Sequence, residues 1–122
     1  MARPAELRKR LLEYALGLPE AYLDHSWGED VAKVRNKVFA FFGLPESTDA
    51  AMSVKLAASH PLALAQPGAT PTGYGLGDSG WVTVRLSAKL PLEMLRGWID
   101  ESYRTVAPKA LVATLEPWRR RS

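Results

Sequence analysis

Trp81, Thr83 and Arg85 alternate along one apparent strand that follows directly from a glycine-rich stretch, Gly68 to Gly80. Side chains two residues apart in a strand share a face, so an aromatic ring, a hydroxyl and a guanidinium stand side by side. That combination suits nucleic acid: a cation neutralises a phosphate, and a tryptophan face stacks on an unpaired base for about 1 to 3 kcal/mol. Lys33 and Arg35 on an earlier strand and Lys55 on another add cations. The candidate nucleic-acid-binding set is therefore Lys33, Arg35, Lys55, Trp81, Thr83 and Arg85. Tyr74, Gly75 and Gly77 are candidate loop contacts, although the loop leads into a strand and lacks the helix N-terminus and lysine of a nucleotide-binding loop. The plainer use of its glycines is a turn. Charged residues also line the solvated face of any antiparallel sheet.

Catalytic chemistry is poorly supplied. Asp24-His25-Ser26 offers an acid, a base and a hydroxyl, but neighbours in an extended segment cannot converge as a triad does. His25 and His60 are too far apart in sequence for a helical metal-ligand pair, and Glu29-Asp30 could attract a cation but reads more simply as a solvated turn. With no cysteine in the chain, a disulfide framework, a thiolate metal site and a cysteine nucleophile are excluded together. No enzyme activity, metal or cofactor is expected. A small-molecule pocket, if the fold has one, is to be sought near His25, Trp27, Tyr74 and Trp81.

The chain has 122 residues, 47% hydrophobic and 24% charged, the values of one ordinary globular domain. Its net charge of +3 equals the contribution of Arg119, Arg120 and Arg121, which leaves 13 basic residues against 13 acidic ones elsewhere. Attraction to a polyanion must then come from local patches. The basic N-terminus is followed by no apolar signal segment, and no run of about 18 apolar residues occurs. The expectation is a cytoplasmic domain over residues 1–118 with a short basic tail, 119–122.

Positioning the candidate residues requires a sheet. Leu7, Leu11, Tyr14, Ala15 and Leu18 recur at helical spacing, predicting a helix from Ala5 to Leu16. A short strand is expected around Tyr22. Val31–Arg35 and Val38–Phe42 then read as a hairpin with Asn36 and Lys37 in a two-residue turn, which puts Ala32, Val34, Phe39 and Phe41 on the core face and Lys33, Arg35, Val38 and Ala40 on the other. Met52, Val54 and Leu56 mark a further strand, and Ser59 caps a short helix from His60 to Ala65. Val82, Val84 and Leu86 point inward on the strand that begins at Trp81. Leu92, Leu95, Trp98, Ile99, Tyr103 and Val106 predict a helix that Ala107-Pro108 breaks, and Leu111, Val112 and Leu115 a terminal one. The sum is an α+β domain, helices on one face of an antiparallel sheet and the other face open.

Several of these segments resemble the MmcQ/YjbR family of small bacterial proteins: Leu16 to Gly28, KVFAFF, the TPTGYG loop, WVTVRL and WIDESYRTVAP. The most specific are the Trp81 strand after its glycine loop and the run Asp100-Glu101-Ser102-Tyr103. The resemblance implies a fold like that of CyaY and frataxin, and a DNA-binding role, single- or double-stranded. The competing expectations are a protein partner on the same face or a small-molecule ligand. Relatives often carry a basic sequence similar to N-K-x-H-W before the strand tryptophan, where this chain has Gly77-Asp78-Ser79-Gly80-Trp81. Asp78 repels phosphate at that point. An iron-chaperone role is not expected, because the first helix carries Arg8, Lys9 and Arg10 in place of a carboxylate cluster.

Overall fold

The computed structural model describes residues 3–26, 28–44, 49–73 and 75–121, without the side chains of Ser26 and residues 116–121. The chain opens with α1 (Pro4–Leu16). Its proline sits in the first turn, where no intrahelical donor is needed, and the Gly17 N–H donates to the Glu13 and Tyr14 carbonyls at its end. Then follow β1 (Tyr22–Ser26), β2 (Glu29–Val34), β3 (Lys37–Phe41), β4 (Ala51–Lys55), α2 (His60–Leu64), β5 (Ala69–Pro71), β6 (Trp81–Arg85), α3 (Leu92–Val106) and α4 (Lys109–Arg121). Short 3-10 turns at Leu76–Ser79 and Leu86–Ala88 bracket β6. All six strands form one antiparallel sheet in the order β1-β2-β3-β4-β6-β5.

The core lies where the sequence alternates most regularly. Met52 and Val54 of β4 stand opposite Val84 and Val82 of β6, and all four are fully buried. Leu7, Leu11 and Ala15 of α1 and Leu95, Trp98, Ile99 and Tyr103 of α3 join the same cluster. Burying one such large side chain contributes about 1.5 to 3 kcal/mol, against helix-propensity differences of at most about 0.7 kcal/mol for ordinary residues. Packing on the sheet, more than local preference, holds α3 in place.

The hairpin departs from its expected register. Val34 pairs with Lys37 and Lys33 with Val38, so the turn residues are Arg35 and Asn36, at φ 50° and 67°. Both are left-handed, as the tight hairpin turn demands. Between the Lys33–Val38 and Ala32–Ala40 pairs β3 carries one extra residue, Phe39, and this bulge resets the alternation. Phe39, Ala40 and Phe42 are fully buried in the core cluster. Ala40 is thus inward rather than outward, and Phe41 faces the other side, opposite Ser53 of β4.

The Ser59 side chain does not cap α2; its hydroxyl turns to Glu101 instead. At the other end of the chain the backbone of Arg119–Arg121 continues α4. Among the described residues, no helix is long and apolar enough to cross a membrane.

Candidate functional site

The bulge decides what the sheet face away from the helices looks like. Lys33 and Val38, Phe41 and Ser53, Thr83 and Thr70, and Trp81 and Lys55 are paired neighbours across it. Phe41 and Trp81, two strands apart, meet edge to face over β4, with ring centroids 5.2 Å apart at 65°. Val31 beside them is fully buried and Trp81 is only 7% exposed. Trp81 faces as the sequence indicates, but it is packed into a small apolar cluster and presents no free ring for a base to stack on. The missed signal was Phe41, whose direction depends on the one-residue insertion at Phe39.

The cations differ among themselves. Lys33 is ion-paired with Asp24 at 2.8 Å, and the Lys33 ammonium, helped by the His25 backbone N–H, holds that carboxyl below the usual carboxylate range. Arg35 does not project from the sheet face. It sits in the turn and makes a two-pronged contact with Glu20 at 2.6 and 3.0 Å, which lowers the glutamate's pKa and raises its own. The face is therefore not free of acids. Arg85 is exposed, with Asp49 at 3.9 Å, a loose contact in high dielectric. Lys55 makes no ion pair among the described residues, and its stem passes 3.9 Å from where a side chain on Gly80 would begin.

Between Lys55 and Arg85 lies a file of hydroxyls. Ser53 Oγ is 2.7 Å from Thr83 Oγ1, which is 2.9 Å from Thr72 Oγ1. Such groups donate to and accept from a polar ligand, but among the described residues no base is hydrogen-bonded to them to make a nucleophile. The loop beside them is held in place: Gly75 and Gly80 take left-handed conformations at φ 78° and 91°, and the Gly77 N–H donates to Thr72 O at 2.9 Å. Gly77 is also locked by space, since a Cβ there would lie 2.8 Å from Pro71. Tyr74 and Trp27 lie outside the described residues.

The Ser26 side chain lies outside the described residues, and the His25 ring does not turn to Asp24. His25 Nδ1 instead approaches Asp30 Oδ1 at 3.0 Å, and Asp30 also accepts from Arg8 Nη2 at 2.8 Å. Arg8, the first residue of the basic run in α1, is buried. It donates through Nε to Phe42 O at 2.8 Å and through Nη2 to Gly43 O at 3.1 Å. Among the described residues no group of three histidines, cysteines or acids could hold a metal ion.

The run Asp100-Glu101-Ser102-Tyr103 turns out to fasten α3 to its surroundings. Tyr14 OH donates to Asp100 at 2.7 Å. Glu101 accepts from the N–H groups of Ala57 and Ser59 and from the Ser59 hydroxyl, at 2.7 to 3.0 Å. Burial pushes its pKa upward, yet these three hydrogen bonds prevail and the net shift is downward. Ser102 Oγ accepts from the Lys55 N–H at 2.8 Å and donates to the Phe39 carbonyl. Tyr103 OH donates to Pro19 O at 2.8 Å, and its ring stands edge-on to Phe39.

With this geometry the chain can be compared with known proteins. The YjbR family model matches residues 16–105. The crystal structure of a Deinococcus radiodurans protein with the domain DUF419 is similar at a TM-score of 0.68 and 25% identity, covering 80% of this chain and 76% of that one. A Pseudomonas syringae protein of known structure is similar at a TM-score of 0.64 and 19% identity, covering 80% of this chain and 97% of that one. No curated protein matches.

Proposed function

The chain belongs to the YjbR family, and from that footing we propose that it is a non-enzymatic binding module of the bacterial cytoplasm that takes a DNA strand by its phosphates on the sheet face away from the helices. The observation that carries this reading is the pair of exposed-face cations, Lys55 and Arg85, at opposite ends of the β4–β6 ladder, with the Ser53–Thr83–Thr72 hydroxyl file between them. Four residues of strand separate the two positions, about 13 Å at the usual rise. A single strand laid along the ladder would meet both cations and offer phosphate or sugar oxygens to the hydroxyls. Lys33 and Arg35 contribute less, because Asp24 and Glu20 already neutralise them. Trp81 supports the surface from beneath. Binding is then independent of base identity, since phosphate contacts carry no sequence information.

Fluorescence anisotropy with single- and double-stranded oligonucleotides across a salt series tests this. Two phosphate contacts to a single strand give a log–log salt slope of about −1.4, and replacing Lys55 and Arg85 together by alanine should abolish it. Lys33→Ala and removal of residues 119–122 should each leave most of the affinity. Absence of binding at low salt would refute the proposal, and salt-insensitive binding would point to a protein-type interface instead. Loss of binding only on removal of 119–122 would reduce it to a basic end.

A further inference from the structure

A second, independent feature lies at the start of α1. Where that helix meets the segment between β6 and α3, a groove of about 590 Å³ opens, within the roughly 300 to 1,000 Å³ typical of small-molecule sites. Leu7, Leu86, Leu90 and Leu92 supply its apolar lining, and Arg10 and Lys89 border it. Leu7 and Leu86 are buried, so the floor is part of the packed domain. The two cations are exposed, and neither makes an ion pair among the described residues. Lys89 also holds a left-handed backbone at φ 60°, a conformation that favours glycine and that a lysine adopts only under strain.

We propose that this groove is a binding site for a small amphipathic carboxylate, its alkyl chain against the four leucines and its carboxylate between Arg10 and Lys89. The charge complementarity commits the site to an anion: an apolar floor alone would take a neutral chain, whereas two cations with no ion pair among the described residues gain a charge-assisted hydrogen bond each from a carboxylate. The strained lysine fits the same account, since a glycine there would relieve the backbone but remove the ammonium.

Isothermal titration of the full chain with decanoate, below its micellar range, tests the site, with decanol as the uncharged control. The expected result is saturable one-to-one binding, weakened about tenfold or more by Arg10→Gln, by Lys89→Gly and by exchange of decanoate for decanol. Lys89→Gly should melt no lower than the parent, so its loss of binding cannot be blamed on unfolding. Equal binding of decanol and decanoate, or no saturable binding, would overturn the proposal. So would decanoate affinity unchanged in both variants. Tighter binding of an acidic, leucine-rich peptide at the same residues would overturn the small-molecule occupant in favour of a protein one.

Discussion

Replacing Ser102 by alanine removes one oxygen from a fully buried position, and the structure says what that oxygen does. The β3–β4 ladder pairs Ala40 with Val54 and Phe41 with Ser53. One step further, beside the bulge, Ser102 Oγ fills the place of a strand-to-strand bond: it receives the Lys55 N–H at 2.8 Å and gives its own proton to the Phe39 carbonyl. Alanine leaves a donor and an acceptor unpaired, and each orphaned buried group costs about 1 to 3 kcal/mol. A total of about 3 kcal/mol is expected, since partial hydration recovers some of the maximum. With a urea slope of about 1.5 kcal/mol/M, the midpoint should fall by about 2 M with the slope unchanged. Amide hydrogen exchange at Lys55 should accelerate in the variant. Thr105→Ala, which loses only an exposed hydroxyl bond to the Glu101 carbonyl, serves as the control and should cost under about 0.5 kcal/mol. A loss for Ser102→Ala no larger than this control, with Lys55 still protected, would mean that the strands close without the hydroxyl and would refute the reasoning.

Three further outcomes are expected. Glu101 has a folded pKa below its ordinary value of 4.5, so its stabilisation is present above the unfolded pKa and is lost as pH falls through the lower folded value; Glu101→Gln should cost about 1 kcal/mol at pH 7 and flatten the stability profile on the acid side of 4.5, as read from urea midpoints. Arg8→Met leaves the buried Asp30 carboxylate with His25 as its one charged partner among the described residues and takes the donor from the Phe42 carbonyl, for a loss of about 3 kcal/mol, measurable by denaturant titration. Gly80→Ala must hold a left-handed backbone and put its Cβ 2.8 Å from the Leu56 carbonyl oxygen; thermal unfolding should report a cost of about 2 kcal/mol.

The sheet was legible wherever alternation ran unbroken. β4 and β6 alternate cleanly, so Met52, Val54, Val82 and Val84 could be assigned to the core from spacing alone. β3 could not, because an inserted residue shifts which side chains face inward without changing composition: Phe39, Phe41 and Phe42 are equally apolar, and only the bulge sends Phe41 away from the helices. Trp81's burial went unread for that reason, since its partner in packing is Phe41. Arg8 was invisible for a different one. Its partners are 22 and 34 residues away, and nothing local distinguishes it from Lys9 or Arg10 in the same basic run. The family-specific run at Asp100 was recognisable as text, but its role depends on backbone groups of β3, β4 and the 57–59 turn that no helical pattern reveals.

The hydroxyl of Ser102 reaches back 63 residues to Phe39, and that distance along the chain bears on how the molecule comes to be folded. The hairpin of β2 and β3 needs only its own turn and can form within microseconds, whereas the join between β3 and β4 is completed by a residue in a helix formed from positions 92–106. Contacts this far apart close late because the entropy of the intervening loop must be paid before they reward it. On a ribosome, then, the nascent chain carries an unsealed seam through the middle of its sheet until α3 has emerged, and the last third of the sequence acts as the clasp for the first two.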